Sequence, residues 1–186
     1  MTDEPSRTTA GGAFAPPESV NNLYTNKFRL VFLKIPTTTF FCTDAALPDL
    51  SLNSIPITTP FNPHFVGDTS VTYSDLTVRF QVDEDLKNYK EIHKWMVGIA
   101  SPERYPQFTD LINSNTPSGT STGYHIYSDA RLLTLKNSHL YNLSIVFRDA
   151  FPIRLTGIRF RTGENVVATA DATFKYNYYE FEDGLA

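Results

Sequence analysis

Cysteine is almost absent from this chain. Cys42 stands alone, so no intrachain disulfide can form. It sits in the run FFCTDAA and is expected to pack as a small apolar residue on a strand. A catalytic thiol needs a histidine partner, and none is identifiable. Long apolar runs are missing too. No stretch approaches the ~20 residues that span a bilayer, so no membrane association is expected. The opening MTDEPSRTTAGGAFAPPES has neither the cationic start nor the apolar stretch of a secretory leader. Work in a cytoplasm-like compartment is the expectation. Basic charge is in short supply: 16 Lys and Arg face 20 Asp and Glu, for a net charge of −4. A general nucleic-acid-binding surface needs clustered cations.

The residues of a catalytic centre are also scarce. His64, His93, His125 and His139 do not pair at metal-site spacings, and no carboxylate or cysteine cluster accompanies them. His93 is expected to pack half-buried on a helix. Asp83, Glu84 and Asp85 read as helix-start acids that complement the dipole. Gly67-Asp68 and Gly163-Glu164 are turn chemistry, and no G-x-S-x-G, Walker or zinc motif is present. No enzyme activity, metal or cofactor is expected. Arg148, Arg154, Arg159 and Arg161 form the one basic concentration. On strands, Arg159 and Arg161 would share a face near Arg148, paired with carboxylates such as Glu164 and Asp171. Few aromatics interleave with them, so a nucleic-acid groove is disfavoured.

What the chain does contain is strand sequence. Ten Tyr and fourteen Phe favour sheets. Residues 1–22, rich in Thr, Gly, Pro, Ser and Asn, read as a flexible arm, and 23–186 as a single domain. Residues 26–34 and 38–46 are expected strands. In 76–82, Leu76, Val78, Phe80 and Val82 face one way and Thr77, Arg79 and Gln81 the other, the mark of a half-exposed antiparallel sheet. A helix follows, capped by Asp83, with Leu86, Tyr89, His93, Met96 and Ile99 on one stripe widened by Ile92 and Trp95. Residues 101–123 read as an exposed loop. Further strands are expected over 124–135, 140–148, 152–162 and 166–181, with a hairpin at Gly163 and a bulge at Gly157.

One segment fits neither a sheet interior nor a solvated loop. Pro48, Pro56, Pro60 and Pro63 punctuate 51–73, and proline cannot donate to a ladder. Yet Ile55, Ile57, Phe61, Phe65, Val66, Val71 and Tyr73 make it too apolar for water. A loose hairpin that buries these groups against the parent domain or a neighbouring subunit fits better. The fold expected is mainly β: an antiparallel β-sandwich or barrel with one flanking α-helix and a long extended hairpin.

The order of elements carries a resemblance. Phe41-Cys42 is followed by AALP (45–48), an IP-containing segment with VGD (66–68), LTVRFQVDED (76–85), a helix with Trp95, VFRDAFP (146–152) and the closing F-x-Y-x-Y-Y-E-F (174–181). Across roughly 25–181 the chain resembles the tail tube protein family of contractile-tailed bacteriophages. The resemblance implies a hexameric ring whose inner strands join into one barrel, rings that stack into a hollow tube, and a conduit for DNA ejection. It implies the tail sheath, the baseplate tube initiator, the tail terminator, the tape measure protein and, transiently, genomic DNA as partners. It also implies a place in the virion after assembly in the host cytoplasm. The 51–73 segment corresponds to the family's hairpin, so Ile55, Ile57, Phe61, Phe65, Val66 and Tyr73 become candidate intersubunit contacts. Thr77 and Gln81 become candidates for the bore. A baseplate initiator ring and a type VI-like inner tube protein are the alternatives nearest to this. A small β-sandwich module binding carbohydrate through Tyr176, Tyr178 and Tyr179 is the more distant one.

Overall fold

The structure is a computed structural model that describes residues 22–100, 126–135, 141–163 and 166–183. Nine strands and two helices lie among the described residues. In chain order they are β1 (Phe28–Phe32), α1 (Pro36–Phe40), β2 (Cys42–Ala45), β3 (Leu50–Ile57), β4 (His64–Tyr73), β5 (Leu76–Gln81), α2 (Lys87–Ala100), β6 (Ser128–Leu135), β7 (Tyr141–Leu155), β8 (Thr169–Lys175) and β9 (Tyr178–Asp183). The expectations for 1–21, 101–125, 136–140, 164–165 and 184–186, the pairing through Glu164 among them, fall outside the described residues.

Seven strands make one antiparallel sheet in the order β1-β6-β7-β8-β5-β2, with β9 also paired to β7. β7 is the spine. Its first part, Leu143 to Arg148, pairs with β9, and its last part, Phe151 to Leu155, pairs with β8. The change of partner falls at Asp149, whose φ is 55°. Aspartate tolerates this left-handed backbone. Here its amide donates to Asp129 Oδ1 at 3.1 Å, and Asn177 Nδ2 donates to its Oδ2 at 3.0 Å. A strand that bends this way serves two arms of a sheet and lets the sheet fold onto itself.

The core shows that it does. Phe32 on β1 and Phe174 on β8 are separated by two intervening strands in the sheet, yet their ring centroids are 4.6 Å apart. The strict alternation of β5 survives intact: Leu76, Val78 and Phe80 are fully buried, and Thr77, Arg79 and Gln81 are exposed. α2 closes the core with Ile92 and Trp95, and the Trp95 indole N–H donates to the Ile126 carbonyl at 2.7 Å.

Several expected boundaries move. The 38–46 strand is a short helix followed by β2. Pro36 starts that helix, as its fixed φ suits. The Thr39 hydroxyl then accepts from the Phe32 amide and donates to the Ile35 carbonyl, so a β-branched run is held helical. The helix expected from Asp83 begins at Lys87, because 83–86 form a turn in which the Leu86 amide donates to the Asp83 carbonyl. His93 is exposed rather than half-buried, since the buried stripe runs Asn88, Ile92, Trp95, Gly98. The strands expected over 140–148 and 152–162 are one strand that runs through Pro152 and ends at Leu155. Its register shift falls between Pro152 and Arg154, not at Gly157. The strand expected over 166–181 is broken at Asn177.

Asn88 is the polar hinge of this packing and is fully buried. Its Nδ2 donates to the Gln81 carbonyl at 2.7 Å, its Oδ1 accepts from the Tyr89 and Asp83 amides, and its own carbonyl accepts from Thr38 Oγ1. The Asn88 side chain thus ties the exit of β5 to the start of α2, and its backbone carbonyl holds Thr38 of α1. Asn88→Ala orphans the Gln81 carbonyl and the Asp83 and Tyr89 amides and should cost about 1–3 kcal/mol. Urea unfolding checks this, and an unchanged midpoint would refute the role.

Candidate assembly surfaces

β3 and β4 pair only with each other among the described elements. A two-stranded hairpin alone is marginal in water, and this one is apolar on both faces. The register places Leu52, Val71, Pro56 and Phe65 on one face and Ile55, Ile57 and Val66 on the other. Ile55 is 52% exposed, Phe65 62% and Phe61, at the tip, 94%. Five of the six hairpin residues singled out from the sequence therefore share one projecting, uncovered element. Leu50 and Leu52, which the sequence reading did not single out, join them. The alternation Leu50, Leu52 would have drawn attention to them had Pro48 and Pro56 not argued against a strand.

Tyr73, the sixth, is half-buried at the hairpin's root. Its ring meets Tyr176 at 6.1 Å and Tyr179 at 5.4 Å, both edge-on. The Tyr176 hydroxyl donates to the Ser74 carbonyl at 2.8 Å, and Lys175 pairs with Asp75 at 2.8 Å. The hairpin is thereby clamped to the β8–β9 junction. Tyr176 is buried, so Tyr176, Tyr178 and Tyr179 do not form the exposed platform that a carbohydrate module requires.

The outward face of β5 carries Thr77 and Gln81, both exposed, opposite Thr173 and Thr169. Between them Arg79 and Asp171 pair at 2.7 Å, so the strip is hydrophilic and locally neutral. On the other arm Arg148 bridges Asp129 at 2.9 Å and also engages Glu180, with Glu182 at 3.5 Å. Val146, opposite Arg131 and Glu180 in the ladder and alternating with Ile145 and Phe147, is fully buried. Arg148 is thus paired with carboxylates across strands, but with Asp129 and Glu180 rather than the expected Asp171, which Arg79 holds. Arg159 and Arg161 do not join it. They lie beyond the end of β7 in a segment outside any strand, beside exposed Phe160, Val166 and Val167.

Cys42 is half-buried, and desolvation pushes its thiol up to about 11, so it is protonated at neutral pH. Among the described residues no group of three or more His, Cys, Asp or Glu is placed to hold a metal ion, and no helix is long and apolar enough to cross a membrane. What the geometry offers is surface: among the described residues, an uncovered apolar hairpin, and strands β1, β2 and β9 that each pair on one side only. Such open edges and faces are what a structural protein uses to join its neighbours.

The comparisons agree with that class. The chain belongs to the phage tail tube protein family, whose pattern matches residues 13–182. The fold is similar to the tube-terminating cap of the anti-feeding prophage (TM-score 0.61, 14% identity, covering 94% of this chain and 99% of that one). It is also similar to a chain of the sheath/tube terminator of the extracellular contractile injection system PVC in its extended state (0.55, 14%, 88% and 99%). A chain of the PVC sheath-tube complex gives 0.54 at 14% identity, covering 87% and 92%. No curated protein matches the chain significantly.

The root of the hairpin makes a pH prediction. Burial holds the Tyr176 phenol up to about 12, above its ordinary 10.0. The folded state therefore binds this proton more tightly than the unfolded chain. The stabilisation is complete below about pH 10 and is lost as pH rises through about 12. Urea unfolding between pH 9 and 12 should show that loss in the wild type and a shallower one in Tyr176→Phe. Parallel curves would refute the assignment.

Proposed function

We propose that this chain is the repeating subunit of the inner tube of a contractile phage tail. In this reading residues 23–186 act as one domain with 1–22 as an arm. Copies close into a hexameric ring, and rings stack into a hollow conduit for DNA. The observation that carries the reading is the hairpin. It exposes apolar side chains on both faces, and covering one face would leave the other wet. A neighbour on each side removes both from water, worth roughly 1.5–3 kcal/mol for each large side chain fully covered. The edges of β1, β2 and β9 suit ring closure for a similar reason, since an unpaired edge is a liability in a monomer and a joint in a ring.

Thr77 and Gln81 are proposed to face the bore. The strip around them is hydroxyl- and amide-rich, and its one ion pair is self-compensated. A surface of that kind holds water and offers a passing polyanion no net cationic charge. The partners follow from the position: a contractile sheath outside, an initiator at the baseplate end, a terminator at the other, and the tape measure protein and then DNA within. Assembly takes place in the host cytoplasm and the product resides in the virion.

Negative-stain electron microscopy of the concentrated protein tests the reading. Hollow tubes are expected. Rings that never stack would move the chain to one end of the tube, as an initiator or terminator. Monomers that persist even with a tube-nucleating baseplate would refute it. Ile55→Asp with Phe65→Ser should abolish tubes while leaving the circular dichroism of the monomer unchanged, and tubes of normal yield would remove the hairpin from the joint. For the bore, Thr77→Lys with Gln81→Lys should preserve tubes but slow DNA release from reconstituted particles by about tenfold or more, because each lysine adds a phosphate contact. Unchanged release would place the bore on another face.

A further inference from the structure

Residues directly opposite each other in an antiparallel ladder share a face. The registers therefore lay out the surface of Thr77 and Gln81 row by row. One row runs Arg154, Thr173, Thr77 across β7, β8 and β5. The next, roughly 7 Å along the strands, runs Asp171, Arg79, Asp44 across β8, β5 and β2. Thr169 and Gln81 make the third. Arg79 thus has a carboxylate residue opposite it on each side, whereas Arg154 stands opposite Thr173. Two arginines and two aspartates balance across these rows. Lys175, further along β8, is paired with Asp75 at 2.8 Å.

The Arg79 pair engages both oxygens of one carboxylate. Its Nε donates to Asp171 Oδ1 at 2.7 Å and its Nη2 to Oδ2 at 3.3 Å. The Arg79 side chain is still 55% exposed, so solvent and solutes reach it. The same planar fork fits two oxygens of a phosphate. Asp171 therefore occupies the donors that an arriving phosphate would use.

The carboxylate is also fixed in place. The Asp171 amide donates to Thr156 Oγ1 at 2.7 Å. Its carbonyl accepts from the Thr156 amide at 2.9 Å and from the Thr156 hydroxyl at 3.1 Å. A competitor held on the same molecule acts at a high effective concentration against a ligand from solution. An exposed ion pair contributes little to stability, so the larger consequence of this one is for what else Arg79 can hold.

We propose that Asp171, with Asp44 on the other side, occupies the Arg79 guanidinium and so keeps the bore surface from gripping the phosphates of a passing nucleic acid. The proposal rests on the assignment of this face to the bore and names the residues that make the face non-adhesive. A short DNA duplex titrated with the unassembled full-length chain reads the masking itself. Asp171→Asn should bind it about tenfold more tightly at low salt, with the slope of log K against log salt steeper by about 1, the mark of one more phosphate contact. Asp68→Asn removes the same charge from a carboxylate held by Ser70 and Thr69 rather than by a cation, and should bind as wild type. Adding Arg79→Gln to Asp171→Asn should return binding to the wild-type level, which loss of a merely structural ion pair would not do.

DNA release from reconstituted particles reads the place of the surface. Asp171→Asn should slow it, and the double variant should restore it. An Asp171→Asn chain that binds the duplex as wild type, or a double variant that binds as tightly as the single one, would overturn the proposal and leave the tube reading standing. Slowed release in Thr77→Lys with Gln81→Lys but not in Asp171→Asn would do the same. Unchanged release in both would overturn the bore assignment and the proposal with it.

Discussion

The bend of β7 at Asp149 is the constraint on which the rest of this structure depends. One strand must pair with β9 before the bend and with β8 after it. The backbone can turn there because an aspartate accepts the left-handed conformation. It stays turned because Asp129, Arg148 and Asn177 satisfy the groups the bend exposes: Asn177 N–H donates to the Arg148 carbonyl at 3.0 Å. The curl of the sheet follows, and with it the contact between Phe32 and Phe174 that makes a single core from two arms. Straightening β7 would separate those arms and leave α2 with nothing to close.

The same bend sets the hairpin in place. Asn177 breaks the last strand, which lets Tyr176 point inward and Tyr179 pack behind it. These two rings receive Tyr73, so the hairpin's root is fixed by the core although its length is uncovered. A rigid root with exposed apolar faces suits assembly, because ordering costs are already met before a neighbour arrives. A hairpin loosely attached at its base would lose conformational entropy on docking and bind more weakly.

Much of the fold was legible because hydrophobic alternation survives in it. β5 reads correctly residue by residue, since it is paired on both sides and covered on one face only. The helix was legible from Ile92 and Trp95, but its start was not. Three acids at 83–85 look like a capping sequence, whereas the cap is decided by Asn88 bonding backward to Gln81, a contact between elements. The β7 strand was read as two, 140–148 and 152–162, yet it runs on through Pro152. Proline is tolerated there because this part of β7 pairs with β8 on one side only among the described residues. The arginines of 159–161 were assigned to a strand on local pattern, and the end of pairing at Leu155 is invisible to any local pattern.

By itself, the sequence determined the class of the protein: a β domain with one thiol, no catalytic cluster, and a proline-punctuated apolar segment that needs something to lie against. Composition and periodicity are local properties, and those conclusions are local. Only the tertiary structure decided that the segment is a paired hairpin, bare on both faces among the described residues, and that its root is locked by tyrosines about a hundred residues away in sequence. Those facts come from long-range pairing register, which brings together residues whose separation along the chain carries no signal of their contact.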